Sequence, residues 1–166
     1  MIITLNADEV AMAAAVAVNR GLEAIKLNRR NNHGFVGNGW TENIEGYCAE
    51  MAVSKALQIY YDAGDGKGFK GADVSEKIQV RWASRDSYRL IIRPADHSDY
   101  FYVLVTGYAP TFTIQGFMHG SQAKKDQYWE NPGNGRPDAW WIPKEALRPI
   151  AEIKKELQTM KGQNEH

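Results

Sequence analysis

Apolar and polar residues alternate from Ile78 to Trp82: Ile78, Val80 and Trp82 against Gln79 and Arg81. That period of two predicts a strand over 77–83, with the apolar trio on one face and Gln79 and Arg81 together on the other. Three further strands are predicted over 88–93, 99–106 and 111–118. Tyr100-Phe-Tyr-Val-Leu-Val105 is continuously apolar, the pattern of a central strand buried on both faces. Upstream the period is helical. Asn6 and Glu9 make a capping pair ahead of an Ala-rich helix over 7–28, weakened by Gly21. A second helix is predicted from Asn43 to Tyr60. Residues 30–42 and Asp62 to Gly71 are loop chemistry, rich in Gly, Asn and Asp. Beyond the strands come a short helix over 119–127, a loop at Asn131–Pro137 and a short strand at Ala139–Ile142. A final helix is predicted from Lys144 to Met160, with Pro143 and Pro149 in its first turns, and then a frayed tail. Helices, a run of strands and a closing helix predict a mixed α+β layer fold in a single domain over 1–166.

Composition narrows this a little. A domain of 166 residues buries about two-thirds of its unfolded surface, so its core needs no staples. The single cysteine, Cys48, allows no internal disulfide; it reads as a small buried residue on the second helix, and a reducing, cytosolic setting fits. No basic segment precedes an apolar run at the N-terminus, so no secretory signal is expected, and no stretch is long enough for a membrane span. Net charge is zero. That counts against a protein that coats DNA by bulk electrostatics, and leaves room for an enzyme with a local basic patch and a bound metal.

The candidate chemistry clusters around the alternating strand. On the second helix Gly46, Glu50, Val53 and Leu57 share one stripe, so Glu50 sits among apolar residues, where a carboxylate calls for a partner or a metal. The plainer reading is a helix-edge Glu paired with Lys or water. Glu45 is a weaker candidate. Asp73, in the turn Gly71-Ala-Asp73, presents a carboxylate just before Gln79 and Arg81. An acid, an oxygen-bearing side chain and a cation suit divalent-metal and phosphate chemistry; otherwise Gln79 and Arg81 are an ordinary solvated strand face. Lys124-Lys125 and Arg29-Arg30 are basic pairs, solvated or in contact with phosphate. Trp40, Trp129, Trp140 and Trp141 are candidates for stacking on unpaired bases, with Trp140-Trp141 read first as packing the last helix onto the sheet. Gly64-Asp-Gly-Lys-Gly68 lacks the ending and preceding strand of a phosphate loop. Asp62 and Asp65 lack EF-hand spacing, and His33, His97 and His119 form no metal-ligand motif.

In order and spacing these pieces resemble the PD-(D/E)XK nuclease superfamily, the restriction-endonuclease-like fold, and most of all its small phage and bacterial members. The residues that carry the resemblance are Gly46-Tyr-Cys-Ala-Glu50-Met-Ala-Val-Ser-Lys-Ala-Leu57, Gly71-Ala-Asp73-Val and Ile78-Gln79-Val80-Arg81. Asp96 to Val105 and Phe112 to Phe117 follow as the next strands, so the nuclease-like core spans about 43–150. The resemblance implies a mixed β-sheet flanked by helices. It also implies one or two Mg²⁺ (or Mn²⁺) ions bridging protein carboxylates and the scissile phosphate, with DNA as partner. Asp73 and Glu50 then take the metal-ligand roles, Gln79 stands where the family has an acid, and Arg81 stands for the lysine.

Gln79 offers a neutral oxygen, which still ligates a hard cation. Arg81 is always charged, so it can hold phosphate but cannot act as a base. The expected activity is Mg²⁺-dependent hydrolysis of DNA phosphodiester bonds by a phage-encoded protein in the host cytoplasm, with a homodimer compatible. The alternative is a catalytically silent member of the same fold that binds nucleic acid or a protein.

Overall fold

The computed structural model describes residues 1–27, 39–62, 71–133 and 135–163. In chain order the elements are β1 (Ile2–Thr4), α1 (Ala7–Lys26), α2 (Gly39–Leu57), β2 (Ile78–Ala83), β3 (Leu90–Ile92), β4 (Phe101–Tyr108), β5 (Thr111–His119), the single turn α3 (Gly120–Ala123), β6 (Trp129–Glu130), β7 (Ala139–Ile142) and α4 (Ala151–Gln163). The class is mixed α+β. The main sheet has the order β1-β5-β4-β2, with β2 and β4 parallel and the other pairs antiparallel.

The central strand is β4, and every residue from Phe101 to Thr106 is buried. Its odd positions face the helices. Phe101, Val103 and Val105 join Ile78, Val80, Phe112 and Ile114 against α2 and against Ile150 and Ile153 of the C-terminal segment. Its even positions face the other way. Tyr102 and Leu104 pack with Leu90, Ile92 and Ile142, which belong to a second sheet of order β3-β7-β6. At ~1.5–3 kcal/mol for each large apolar side chain taken fully from water, burial on two faces makes β4 the axis of the fold. The family resemblance implies helices flanking the sheet. Instead, one face is covered mainly by the second sheet, because Leu90–Ile92 pairs with Trp140–Ile142 and not with the main sheet.

The boundaries that differ from expectation have local causes. The helix α1 begins as predicted: Asn6 Oδ1 accepts the Glu9 N–H and Glu9 Oε2 accepts the Asn6 N–H. It ends at Lys26. Gly21 is where Trp40 packs, since a Cβ there would lie 2.9 Å from the indole ring. The helix α2 starts at Gly39 and stops at Leu57, short of Tyr60. Gln58 turns into the left-handed region at φ 53°, and its N–H bonds Lys55 O while the Ile59 N–H bonds Ser54 O. This is a Schellman close, made with Gln where Gly is usual.

In β5 the side-chain phase reverses. Phe112 and Ile114 face the helices, and then so does Phe117. The register slips because Leu104 pairs Gly116 while Val105 pairs Ile114, leaving Gln115 as a bulge. Gly116 at φ 145° closes the bulge, and a Cβ there would meet Arg148 O at 2.7 Å.

The predicted helix from Lys144 is broken. A 3₁₀ turn at Lys144–Ala146 leads into an extended Leu147–Arg148, and α4 starts only after Pro149. Proline disfavours helical backbone in the residue before it. Arg148 instead exchanges two backbone hydrogen bonds of 2.9 Å with Phe117.

Candidate metal and phosphate site

A tight turn builds the site. Val74 and Ile78 exchange backbone hydrogen bonds of 3.0 and 3.2 Å, with Ser75 at φ 58°. The turn lays Asp73 along β2, the edge strand of the main sheet, where Asp73 Oδ2 accepts the Val80 N–H at 2.7 Å. Gln79 and Arg81 point to the same side, as the alternation predicts. Gln79 Nε2 donates to Gly71 O at 2.9 Å, and Gln79 Oε1 accepts from Arg81 Nη1 at 3.4 Å. Arg81 Nη2 lies 3.0 Å from Asp96 Oδ2, and its guanidinium stands over the Tyr102 ring. Arg81 Nε is buried without a hydrogen-bond partner among the described residues.

Asp96 is the hub on this side. Its Oδ2 also accepts the Arg93 N–H at 2.8 Å, and its backbone carbonyl accepts from Lys124 Nζ.

The carboxylates stand in an environment that disfavours charge. Burial pushes Glu50 well above the usual carboxylate range, and the Asp73 carboxylate adds to the shift; the Tyr61 hydroxyl and Arg20 pull the other way. Burial raises Asp73 to about 6, against the opposing pull of the Val80 N–H and Arg81, and Asp96 adds to the rise. Tyr47 is pushed up to about 12 by burial and by Glu50, and Tyr61 is raised by the same two causes. Each of the two carboxyls therefore favours its protonated form, chiefly because burial disfavours the charge.

The expected ligands converge only in part. Glu50 and Asp73 are electrostatic neighbours, and Arg81 acts on Asp73. Gln79 turns its oxygen to Arg81 and its amide to Gly71. Lys124 is held by the carbonyls of Pro94 and Asp96 and stands over the Trp140 ring, whereas Lys125 is exposed. Glu45 accepts the Ala109 N–H at 2.8 Å, a structural task. His97 stacks on Tyr100, and His119 bonds Ser121. Trp140 and Trp141 lie on β7, where Trp140 meets Trp129 edge-on and Trp141 carries Arg89; the expected packing on the last helix gives way to packing on the second sheet. Arg29, Arg30, His33 and the segment Gly64–Gly68 with Asp65 lie outside the described residues.

Sequence reasoning missed the roles of Asp96, Arg89 and Arg93. Arg89, Ile91 and Arg93 alternate with Leu90 and Ile92, the same period of two that flags Gln79 and Arg81, so the signal was there.

A hard cation wants several oxygens. The donor set fits through Glu50 and Asp73, whose raised affinity for a proton is the affinity a cation would replace. Among the described residues no group of three His, Cys, Asp or Glu is arranged to hold a metal ion, so phosphate oxygens or water would complete the shell. Comparisons with protein-family models, curated proteins and solved structures find no match. Among the described residues no helix is long and apolar enough to cross a membrane.

Proposed function

We propose that this chain is a Mg²⁺- or Mn²⁺-dependent nuclease of restriction-endonuclease-like fold that hydrolyses DNA phosphodiester bonds. The observation that supports it most is the half-buried pair Glu50 and Asp73 at a sheet edge with Arg81 beside it. Natural proteins seldom keep two carboxylates in such surroundings without a chemical use for them. Glu50 and Asp73 would hold the cation. The cation supplies polarisation of the phosphate and eases deprotonation of water.

The chain's own residues do the rest. Arg81 exchanges Asp96 for the phosphate and neutralises charge that grows in the transition state. It cannot serve as base. A carboxylate such as Glu50 would accept the proton of the attacking water only in its ionised form, which a bound cation would favour. The Val80 N–H fixes one oxygen of Asp73 and leaves the other to bind. The reading also carries a phage origin, a host-cytoplasmic setting and a homodimer as proposals.

One observation favours a second reading, a silent nuclease-like fold that binds nucleic acid or a protein: Gln79, Arg81 and one oxygen of Asp73 are all engaged within the protein. The two readings part in one assay. The protein is incubated with single-stranded, duplex and branched DNA in Mg²⁺, Mn²⁺ or EDTA. The nuclease reading expects cutting with either metal, none in EDTA and none by Asp73→Asn. DNA that is bound and never cut, in any form or metal, would leave the silent fold.

A further inference from the structure

Next to Arg81, a cavity of about 490 Å³ opens between β2, the first turn of α2 and the segment 88–93 around β3. Its volume is in the range of small-ligand sites. Three arginines line it, Arg81, Arg89 and Arg93, together with the aromatic residues Trp82, Tyr88 and Tyr108.

The three arginines are not equivalent. Arg89 is committed to Glu130 through two 2.7 Å hydrogen bonds. Arg81 is shared between Gln79 and Asp96. The Arg93 side chain has neither an ion pair nor a hydrogen bond among the described residues. It is half-buried, and its proton affinity is lowered by burial and by the neighbouring Arg81, with Asp96 pulling the other way. Asp96 is their present anion, 3.0 Å from Arg81 and acting on Arg93; an entering phosphate would replace it with more acceptor oxygens for the two guanidiniums. Trp82 is fixed by its Nε1 bond to Gly107 O at 2.7 Å and meets Tyr108 edge-on. Tyr88 is 42% exposed and so offers its ring to a ligand. Glu42 also lines the cavity. A bare phosphate would meet that carboxylate as well as the arginines, whereas a nucleotide can place its anion at the arginines and a base amino group toward Glu42.

We propose that this cavity receives one unpaired nucleotide of a DNA strand, its phosphate between Arg81 and Arg93 and its base against Tyr88. The inference rests on the nucleic-acid reading above and deepens it: the substrate is single-stranded, or opened, next to the site of attack. A base inside a duplex is stacked and must leave the helix to reach such a cavity, whereas an unpaired base stacks on aromatic rings whatever its identity.

The test is a binding titration in EDTA, so that nothing is cut. Labelled mixed-sequence octanucleotide, the same sequence as a duplex, a deoxynucleoside monophosphate and inorganic phosphate are titrated against wild type, Arg93→Gln and Tyr88→Ala. Thermal melts check that each variant folds, and the exposed Tyr88 serves if Arg93→Gln does not. The single strand should bind more tightly than the duplex. Each variant should weaken single-strand binding by about tenfold or more, the loss for a charge-assisted contact or one stacked base, and change duplex binding much less. Unchanged single-strand affinity in both variants overturns the proposal, as does an equal loss for single strand and duplex. A free monophosphate that binds as tightly as the octamer, with the same dependence on Arg93, also overturns it in favour of a small-molecule site. Inorganic phosphate competing as well as the nucleotide does the same. Because no cutting is involved, the outcome is separate from the nuclease reading. A protein that never cleaves but shows this discrimination keeps the cavity's role, and one that cleaves with Arg93-independent binding loses it.

Discussion

Replacing Asp73 by Asn should make the protein more stable above neutral pH. The Asp73 carboxyl is raised from 3.8 to about 6 in the folded protein, chiefly by burial. The folded state therefore holds this proton more tightly than the unfolded chain does. Its contribution is fully present below about pH 4 and is lost as pH rises through about 6. At about 1.4 kcal/mol for each pH unit of difference, the ionised form costs about 3 kcal/mol at pH 8. Asparagine carries no charge and keeps an oxygen for the Val80 N–H, which Asp73 now accepts at 2.7 Å. The value of about 6 already includes the pull of the Val80 N–H, so the net gain should be about 3 kcal/mol, or roughly 6–12 °C in Tm for a domain of this size. The assay is urea and thermal unfolding of both proteins from pH 4 to 8 in EDTA. Wild type should lose stability between pH 4 and 7 more steeply than the variant. Adding Mg²⁺ at pH 8 should raise the wild-type Tm and leave the variant unmoved. A variant less stable than wild type at pH 8, with an unchanged pH slope, would refute the reasoning: Asp73 would then be a satisfied structural acceptor and not a strained ligand.

The remaining expectations concern single side chains. If the protein cleaves DNA, Arg81→Ala should lower the rate by about 10²–10³, as for a lost transition-state donor, and Arg81→Lys should retain much of the rate; full-rate metal-dependent cutting by Arg81→Ala would place the chemistry elsewhere. Gly116→Ala should cost about 2–3 kcal/mol, because the new Cβ meets Arg148 O at 2.7 Å on a backbone at φ 145°; an unchanged urea midpoint would show that the C-terminal segment does not hold the bulge. Gln58→Gly should stabilise by up to about 1 kcal/mol, since φ 53° suits glycine at the helix close, and equal or lower stability in urea would count against that close.

Much of this molecule is legible in local pattern. The period of two at 78–82 is enough to place Gln79 and Arg81 on one side of a strand, because successive side chains of extended backbone must alternate. The continuous apolar run at 100–105 marks the central strand, since only a strand covered on both faces can keep six such residues from water. The Asn6/Glu9 cap needs nothing beyond four consecutive residues. Other features depend on residues distant in the chain. The bulge at Gln115 moves Phe117 onto the helix face, and it exists because Leu147–Arg148 crosses over Gly116. The final helix starts late because Arg148 finds a backbone partner in Phe117, which no local propensity encodes. The candidate site divides in the same way. Sequence order nominates Glu50, Asp73 and Arg81, but the burial that raises the two carboxylates needs α2 packed on the sheet edge. The facing of Arg93 toward Arg81 needs a second sheet laid across the first. Alternation tells which side of its own strand a residue occupies. What stands opposite that side is decided by which strands pair and which layers stack, and those are non-local choices.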